Sequence, residues 1–131
     1  MGFKNIATLG AVISALFGLS FLVAPGATGA YYGSTATDPF TLQIGRYFGH
    51  ELLLFAGVLW ALRQVTDLAV QRVAALVTAF GSAVGLVVTL YGLNSGALNA
   101  MGWSSVVIYA FFLVAWGRLA MAARGGAAAA T

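Results

Sequence analysis

Four long apolar stretches, separated by short polar or glycine-rich segments, make up most of the chain. They cover approximately residues 3–24, 41–63, 70–92 and 103–123. Each is long enough to cross the hydrocarbon core of a bilayer as a helix, which takes about 20 residues at a rise of about 1.5 Å per residue. The pattern predicts an all-α fold, a four-helix transmembrane bundle that forms a single domain over residues 1–131.

The composition agrees with a membrane environment. Hydrophobic residues make up 61% of the 131 residues and charged residues only 7%, whereas a soluble domain has roughly 25% charged residues on its surface. The net charge of +3 comes from six basic residues spread along the chain, too few to form a nucleic-acid surface. The absence of cysteine excludes disulfides, CxxC redox pairs and thiolate metal sites. Membrane lipids are therefore the expected surroundings.

Five of the six basic residues, all except Arg46, lie on one side of the predicted membrane. The two connections on the other side contain no lysine or arginine. Because cytoplasmic loops carry the excess of basic residues, the pattern predicts a multi-pass protein of the cell inner (plasma) membrane with both termini in the cytoplasm. The residues behind this prediction are Lys4, Arg63, Arg72, Arg118 and Arg124.

Small residues recur at four-residue spacing in three of the stretches. Such small-xxx-small patterns let membrane helices approach one another closely. We expect them to mark packing contacts between helices rather than ligand sites. They are Gly10, Ser14 and Gly18 in the first stretch, Gly45 and Gly49 in the second, and Gly81 and Gly85 in the third.

The second stretch also carries ionisable residues, Arg46, His50 and Glu51. Counted from Thr41, Arg46 lies roughly 7 Å and the other two roughly 14–15 Å along the helix, near the middle of a core about 30 Å thick. A charged side chain at that depth costs at least ~2.5–3.5 kcal/mol on insertion scales. We therefore expect the three side chains to point into the bundle.

A polar group inside a lipophilic bundle suggests a site for a small lipophilic or amphiphilic molecule. In this interpretation Arg46 binds an anionic or carbonyl group, and His50 or Glu51 acts as an acid or base, since desolvation raises the pKa of a carboxyl group. Whether there is catalysis stays open. Further ligand-binding candidates are Tyr47 and Tyr109, at the level of the ionisable residues, and Asn94, Asn99 and Trp103 at the outer end of the bundle.

Two other interpretations of the same cluster stay open. It is either an ion-pair and hydrogen-bonded network that fixes the packing of the helices, or a polar surface that docks onto a larger membrane complex as an accessory subunit. Formation of a homo-oligomer stays open as well. No metal or cofactor is predicted. One histidine next to one glutamate does not supply three or four metal ligands, and no second histidine is available for a bis-histidine haem within one chain.

Three segments resemble a bacterial family of small four-span membrane proteins. They are LVAPGATGAYYG after the first stretch, GRYFGHELLLFAGVLWALR in the second and NAMGW at the start of the fourth. In these segments the chain resembles proteins with a domain of unknown function (the DUF4345 type) and, more loosely, DoxX-like proteins. The resemblance implies a four-helix membrane bundle and assigns no activity.

Overall fold

The structure is a computed structural model that describes the backbone of residues 1–128 and the side chains of residues 1–122. Across these residues the chain is helical and has no β-strand. The helices are α1 (Phe3–Val23), α2 (Pro25–Tyr31), α3 (Pro39–Leu62), α4 (Leu68–Asn94) and α5 (Gly102–Ala128). The predicted all-α class is confirmed.

Three of the helices are long and apolar enough to cross a membrane. They are α1, α4 and the Gly102–Ala122 part of α5. The 24 residues of α3 are sufficient in number, but Arg46, His50 and Glu51 make this helix more polar than the others. The structure thus supports a membrane protein with three candidate spans, and the crossing of the membrane by α3 stays a prediction.

The connection between the first two apolar stretches contains the short helix α2, which the sequence pattern did not predict. Pro25 ends α1, as expected, but it is also the first residue of α2. Proline is favoured at that position because the amide hydrogen it lacks would have no partner inside the helix. Consequently Tyr31 is the last residue of a helix and Tyr32 directly follows it, and their rings pack edge to face at 5.1 Å.

Aspartates cap the N-termini of α3 and α4. Asp38 accepts a hydrogen bond from the Thr41 amide at 2.9 Å, and Asp67 accepts from the amides of Ala69 and Val70 at 2.7 and 3.2 Å. Hydrogen bonds from the Thr41 side chain and backbone hold the pKa of Asp38 below its usual value. The charged cap is therefore present at neutral pH and is lost only as the pH falls through this lowered pKa.

The long helices form two antiparallel pairs. In the first pair α1 and α3 meet backbone to backbone, since a Cβ atom on Gly49 would lie 2.7 Å from the carbonyl oxygen of Gly18. One turn away, the rings of Phe21 and Phe48 pack edge to face at 5.1 Å. Glycine at both positions is what permits this approach.

The second pair is α4 and α5. The ring of Tyr109 on α5 lies against Gly85, where a Cβ atom would be 2.5 Å from the ring. In contrast, a Cβ atom on Gly81, one turn earlier on α4, would have no other atom within 4 Å. Of the two glycines in the predicted packing motif, Gly85 makes a close contact and Gly81 faces open space.

The two pairs meet at the end of the molecule that holds the start of α1. Phe3 on α1 packs edge to face against Trp116 on α5, with ring centroids 5.5 Å apart. Leu59 from α3 and Ala75 from α4 complete the contact, so that all four long helices contribute to one buried apolar cluster. Towards the opposite end the pairs separate, and a cavity lies between them.

Candidate functional site

The cavity between the two helix pairs has a volume of about 450 Å³. Most of its wall is aromatic or aliphatic, and the rest consists of hydroxyl groups and two glycines. All four long helices and the segment after α2 contribute to the wall, so its shape depends on how the two pairs are held together.

Side chains at helical spacing form two of the walls. On α3 these are Phe48, Leu52, Phe55 and Leu59, and on α5 they are Ser105, Ile108, Tyr109, Phe112 and Trp116. Residues three and four apart lie on one face of a helix, so each set presents a continuous surface to the cavity. The fully buried Trp116 and Leu59 connect this surface to the apolar cluster that joins the pairs.

Hydroxyl groups supply the polar part of the wall. Ser82 and Thr78 on α4 donate to the carbonyl oxygens of Thr78 and Ala74, each at 2.8 Å. Ser105 donates to the hydroxyl of Tyr32 at 3.3 Å. Because their hydrogens are engaged, the serine and threonine oxygens offer lone pairs to a ligand, whereas the Tyr32 hydroxyl keeps its own hydrogen to donate. Tyr109 adds a second phenol to this wall.

The two loops at the open end of the pairs are joined by Asn99. Its backbone amide donates to the carbonyl of Tyr32 at 3.0 Å, and its side-chain amide donates to the carbonyl of Tyr31 at 3.1 Å. Gly33, with a positive φ of 96°, lies directly against Asn99, since a Cβ atom there would be 3.1 Å from the Cβ of Asn99. Asn99 therefore holds the Tyr32 end of the cavity wall.

Replacing Asn99 by aspartate is expected to loosen this connection. The carboxylate keeps the oxygen that accepts from the Met101 amide at 2.9 Å but has no hydrogen to donate to the Tyr31 carbonyl. We expect a loss of about 0.5–1.5 kcal/mol, the usual contribution of one hydrogen bond, measured as faster amide hydrogen exchange in residues 31–34. Asn94→Asp introduces the same charge at another exposed asparagine and is the control. If exchange in residues 31–34 is no faster in Asn99→Asp than in Asn94→Asp, Asn99 does not have this role.

The other candidates are only partly brought together. Tyr109 lines the cavity, whereas Asn99 is exposed and contacts the wall only through its hydrogen bonds to the segment of Tyr31 and Tyr32. Asn94 and Trp103 are exposed, with 56% of Trp103 accessible, and Tyr47 is 60% accessible on the far side of α3. The structure therefore places one of the five residues, Tyr109, in the cavity wall.

The expectation that Arg46, His50 and Glu51 point into the bundle is wrong in this structure. All three are exposed on the outer face of α3 and none lines the cavity. The His50 and Glu51 side chains are 67% and 69% accessible, and His50 Nδ1 lies 3.5 Å from Glu51 Oε1. Their assignment to acid–base chemistry is not tested by this placement and stays a prediction.

Two other faces of α3 are occupied, which explains this orientation. Gly45 and Gly49 form one face, packed against Pro25 and Gly18, and the aromatic and aliphatic residues of the cavity wall form another. At about 100° per residue the ionisable side chains fall on the third face. The predicted glycine contact is thus present, but it does not bring a helix onto the charged side chains.

The contact between Gly49 and Gly18 defines the register of α3 against α1. His50 follows Gly49, which lies beside Gly18, and Gly18 is five residues from the end of α1 at Val23. At about 1.5 Å per residue, His50 lies roughly 7–8 Å inside the end of α1, and Arg46 lies one turn closer to that end. The depth of these side chains in a membrane stays a prediction.

Most of the cavity wall was missed in the sequence. The signal was present as apolar and hydroxyl residues spaced three and four apart in the second and fourth stretches, but this spacing is shared by any packed helix face. Only the separation of the two helix pairs distinguishes a cavity wall from a core.

Among the described residues no group of three or more histidine, aspartate or glutamate side chains is placed to hold a metal ion. Comparison of the chain with protein-family models, with curated proteins and with solved structures finds no match. The resemblance to four-span bacterial membrane proteins therefore stays a prediction, and the candidate site rests on the geometry of the cavity.

Proposed function

We propose that the chain is an integral membrane protein that binds one small amphiphilic or lipophilic molecule in the cavity between its helix pairs. The observation that carries this proposal is the cavity of about 450 Å³ with an apolar wall and a few hydroxyl groups. Sites for small molecules typically measure about 300–1,000 Å³ and combine these two properties.

The chemistry of the wall indicates the class of ligand. Phe48, Phe55 and Phe112 offer aromatic surface to a ring or chain, and no charged side chain lines the cavity. The phenol of Tyr32 accepts from Ser105 and keeps its own hydrogen for a ligand, so a carbonyl or hydroxyl group is the expected polar end of the ligand. A neutral molecule with one such group fits the wall better than an ion, because nothing in the wall compensates a charge.

The membrane topology is part of the same proposal. α3 packs against α1 from Leu59 beside Gly10 to Phe48 beside Phe21. A helix in contact with a membrane span over this length enters the bilayer with it, which makes α3 the fourth span. The basic residues near the N-terminus, at the α3–α4 connection and at the end of α5 then favour cytoplasmic termini.

A cavity-filling variant tests the binding site. Gly81 lines the cavity and has open space at its Cβ position, so leucine in its place extends into the cavity without displacing backbone. Gly117 has the same open space but lies outside the cavity wall and is the matched control. Gly81→Leu is expected to weaken binding at least ~10-fold, since about 1.4 kcal/mol suffices for that, and Gly117→Leu is expected to bind normally.

Native mass spectrometry of protein purified in mild detergent gives the measurement. A bound small molecule is expected in the wild type and in Gly117→Leu and is expected to be absent from Gly81→Leu. An equal amount of the same molecule in all three proteins would place the binding site elsewhere. No bound molecule in any of them, together with stoichiometric partner subunits, would favour the accessory-subunit function instead.

A catalytic role of His50 and Glu51 is a separate hypothesis, because both lie outside the cavity. If they move a proton on a bound molecule, Glu51→Gln is expected to abolish turnover and leave the fold intact. If they do not, both turnover and cavity binding are expected to be the same in this variant and in the wild type. Measuring binding and turnover on the same protein therefore separates the catalytic hypothesis from the binding hypothesis.

A further inference from the structure

We propose that α3 pairs in parallel with α3 of a second copy of this chain through its outward face. This inference rests on the proposed position of α3 in the membrane, but not on ligand binding in the cavity. The contact surface, called the outer stripe here, consists of Gln43, Tyr47, His50, Leu54, Gly57 and Ala61, and all six residues are exposed in the single chain.

The spacing of the outer stripe is that of a helix–helix interface. Its successive residues are four, three, four, three and four positions apart. This alternation is the heptad pattern that keeps one face of a helix against a parallel partner in a left-handed pair. Among the described residues no other helix covers the outer stripe, because its six residues are exposed and the contacts of α3 with α1, α2 and the cavity use its other faces.

Arg46 and Glu51 flank the outer stripe on opposite sides. They are five positions apart, with Arg46 just before Tyr47 and Glu51 just after His50. In heptad terms Tyr47 is an a position and His50 a d position, so Arg46 is a g position and Glu51 an e position. In a parallel pair, a g position of one helix lies next to the e position five residues later on the other helix. Arg46 of each copy is therefore placed beside Glu51 of the other copy, and the two-fold axis creates this ion pair twice.

The half of the outer stripe nearer the C-terminus of α3 has room for the close approach of a second helix. Gly57 and Ala61 are four positions apart, and a Cβ atom on Gly57 would have no other atom within 4 Å. Small residues at this spacing allow the backbones of two membrane helices to come together. The outer stripe thus combines small residues on one half with charged residues beside the other half.

A second copy fits this face better than lipid does. An arginine, a histidine and a glutamate within a membrane normally face protein or water, because lipid does not compensate their charge. Two copies inserted in the same orientation are parallel, which is what the pairing of Arg46 with Glu51 requires. The face carries one charge of each sign, so it is complementary to itself and needs no partner of a different sequence.

Cysteine crosslinking in liposomes tests the interface. Since the natural chain has no cysteine, each variant carries a single thiol. Leu54→Cys lies in the outer stripe, and Leu16→Cys on α1 lies at a similar level of the bundle with a similar exposure, 63% against 57%. Oxidation of the purified protein, reconstituted at high lipid excess, is expected to give a covalent dimer at position 54 and little or none at position 16.

Charge variants in the Leu54→Cys background test the orientation. Arg46→Glu or Glu51→Arg alone places like charges together twice and is expected to reduce the dimer at least ~10-fold, because like-charge contacts cost several kcal/mol. The combined exchange Arg46→Glu and Glu51→Arg restores opposite charges and is expected to restore the dimer. Restoration distinguishes a specific contact from a folding defect of the single variants.

Equal crosslinking at positions 54 and 16 would overturn the proposal, as would a double exchange that stays monomeric while folded. If a charged, membrane-impermeant maleimide in the outer buffer labels Leu54→Cys rapidly, α3 is not inside the membrane and the topology itself fails. Loss of the cavity ligand in Gly81→Leu is independent of the crosslinking outcomes. A crosslinked dimer whose cavity holds no ligand would therefore support the α3 interface and contradict ligand binding in the cavity.

Discussion

Replacement of Trp116 by alanine is expected to destabilise the protein by about 3 kcal/mol. Trp116 is 1% exposed and belongs to the apolar cluster through which the two helix pairs meet. Removing a buried aromatic residue typically costs about 3–5 kcal/mol. The lower end applies here because lipid is as apolar as the interior, so the loss comes from packing and from the void left between helices.

Thermal unfolding in detergent, followed by light scattering or size-exclusion chromatography, measures this effect. Trp103→Ala is the matched control, since Trp103 lies on the same helix with 56% of its surface exposed. Its replacement is expected to change stability by no more than ~0.5 kcal/mol, as for most surface positions. Equal melting temperatures for the two variants would show that the cluster around Trp116 does not hold the helix pairs together.

Gly49→Ala is expected to cost about 2 kcal/mol or more. The new methyl group would lie 2.7 Å from the Gly18 oxygen and 2.7 Å from the Leu22 nitrogen. Both are backbone atoms, so α1 and α3 must move apart. Overpacking typically costs about 1–3 kcal/mol, and the absence of a flexible side chain that could rotate away places this substitution in the upper part of that range.

Gly117→Ala on α5 is the control for the change in helix propensity. Alanine favours a helix over glycine by about 0.8–1.0 kcal/mol at either position, but at Gly117 the methyl group meets no atom within 4 Å. Gly117→Ala is therefore expected to keep or raise the melting temperature. If Gly49→Ala is as stable as Gly117→Ala, the close contact between α1 and α3 is not formed in the protein.

These two substitutions affect different contacts, one within a helix pair and the other between the two helix pairs. Gly49 decides whether α1 and α3 form a pair, and Trp116 decides whether this pair is joined to α4 and α5. The cavity depends on both, because its walls come from both pairs. A variant that separates the pairs is therefore expected to lose ligand binding even where each pair stays helical, whereas Gly81→Leu is expected to lose binding with the pairs intact.

The hydrophobic pattern predicted the long helices to within a few residues at most of their ends. Apolar residues in a nearly uncharged chain have to be helical to satisfy their backbone groups in lipid, so length and composition were enough. The glycine motifs also predicted close contacts, at Gly18, Gly49 and Gly85. The pattern did not reveal α2, because its seven residues lack a hydrophobic periodicity and begin with proline, which is as typical of a helix end as of a helix start.

The sequence is sufficient to show that ionisable residues belong to α3, whereas the direction in which they face depends on how the helices pack. A helix presents several faces at once, and the one that packs depends on its neighbours: Gly45 and Gly49 turn one face of α3 to α1 and α2, and Phe48 and Phe55 turn another to the cavity. Arg46, His50 and Glu51 are thereby left outside. The cavity was likewise undetermined, since it arises from the distance between two helix pairs, and that distance is set by contacts between residues far apart in the chain.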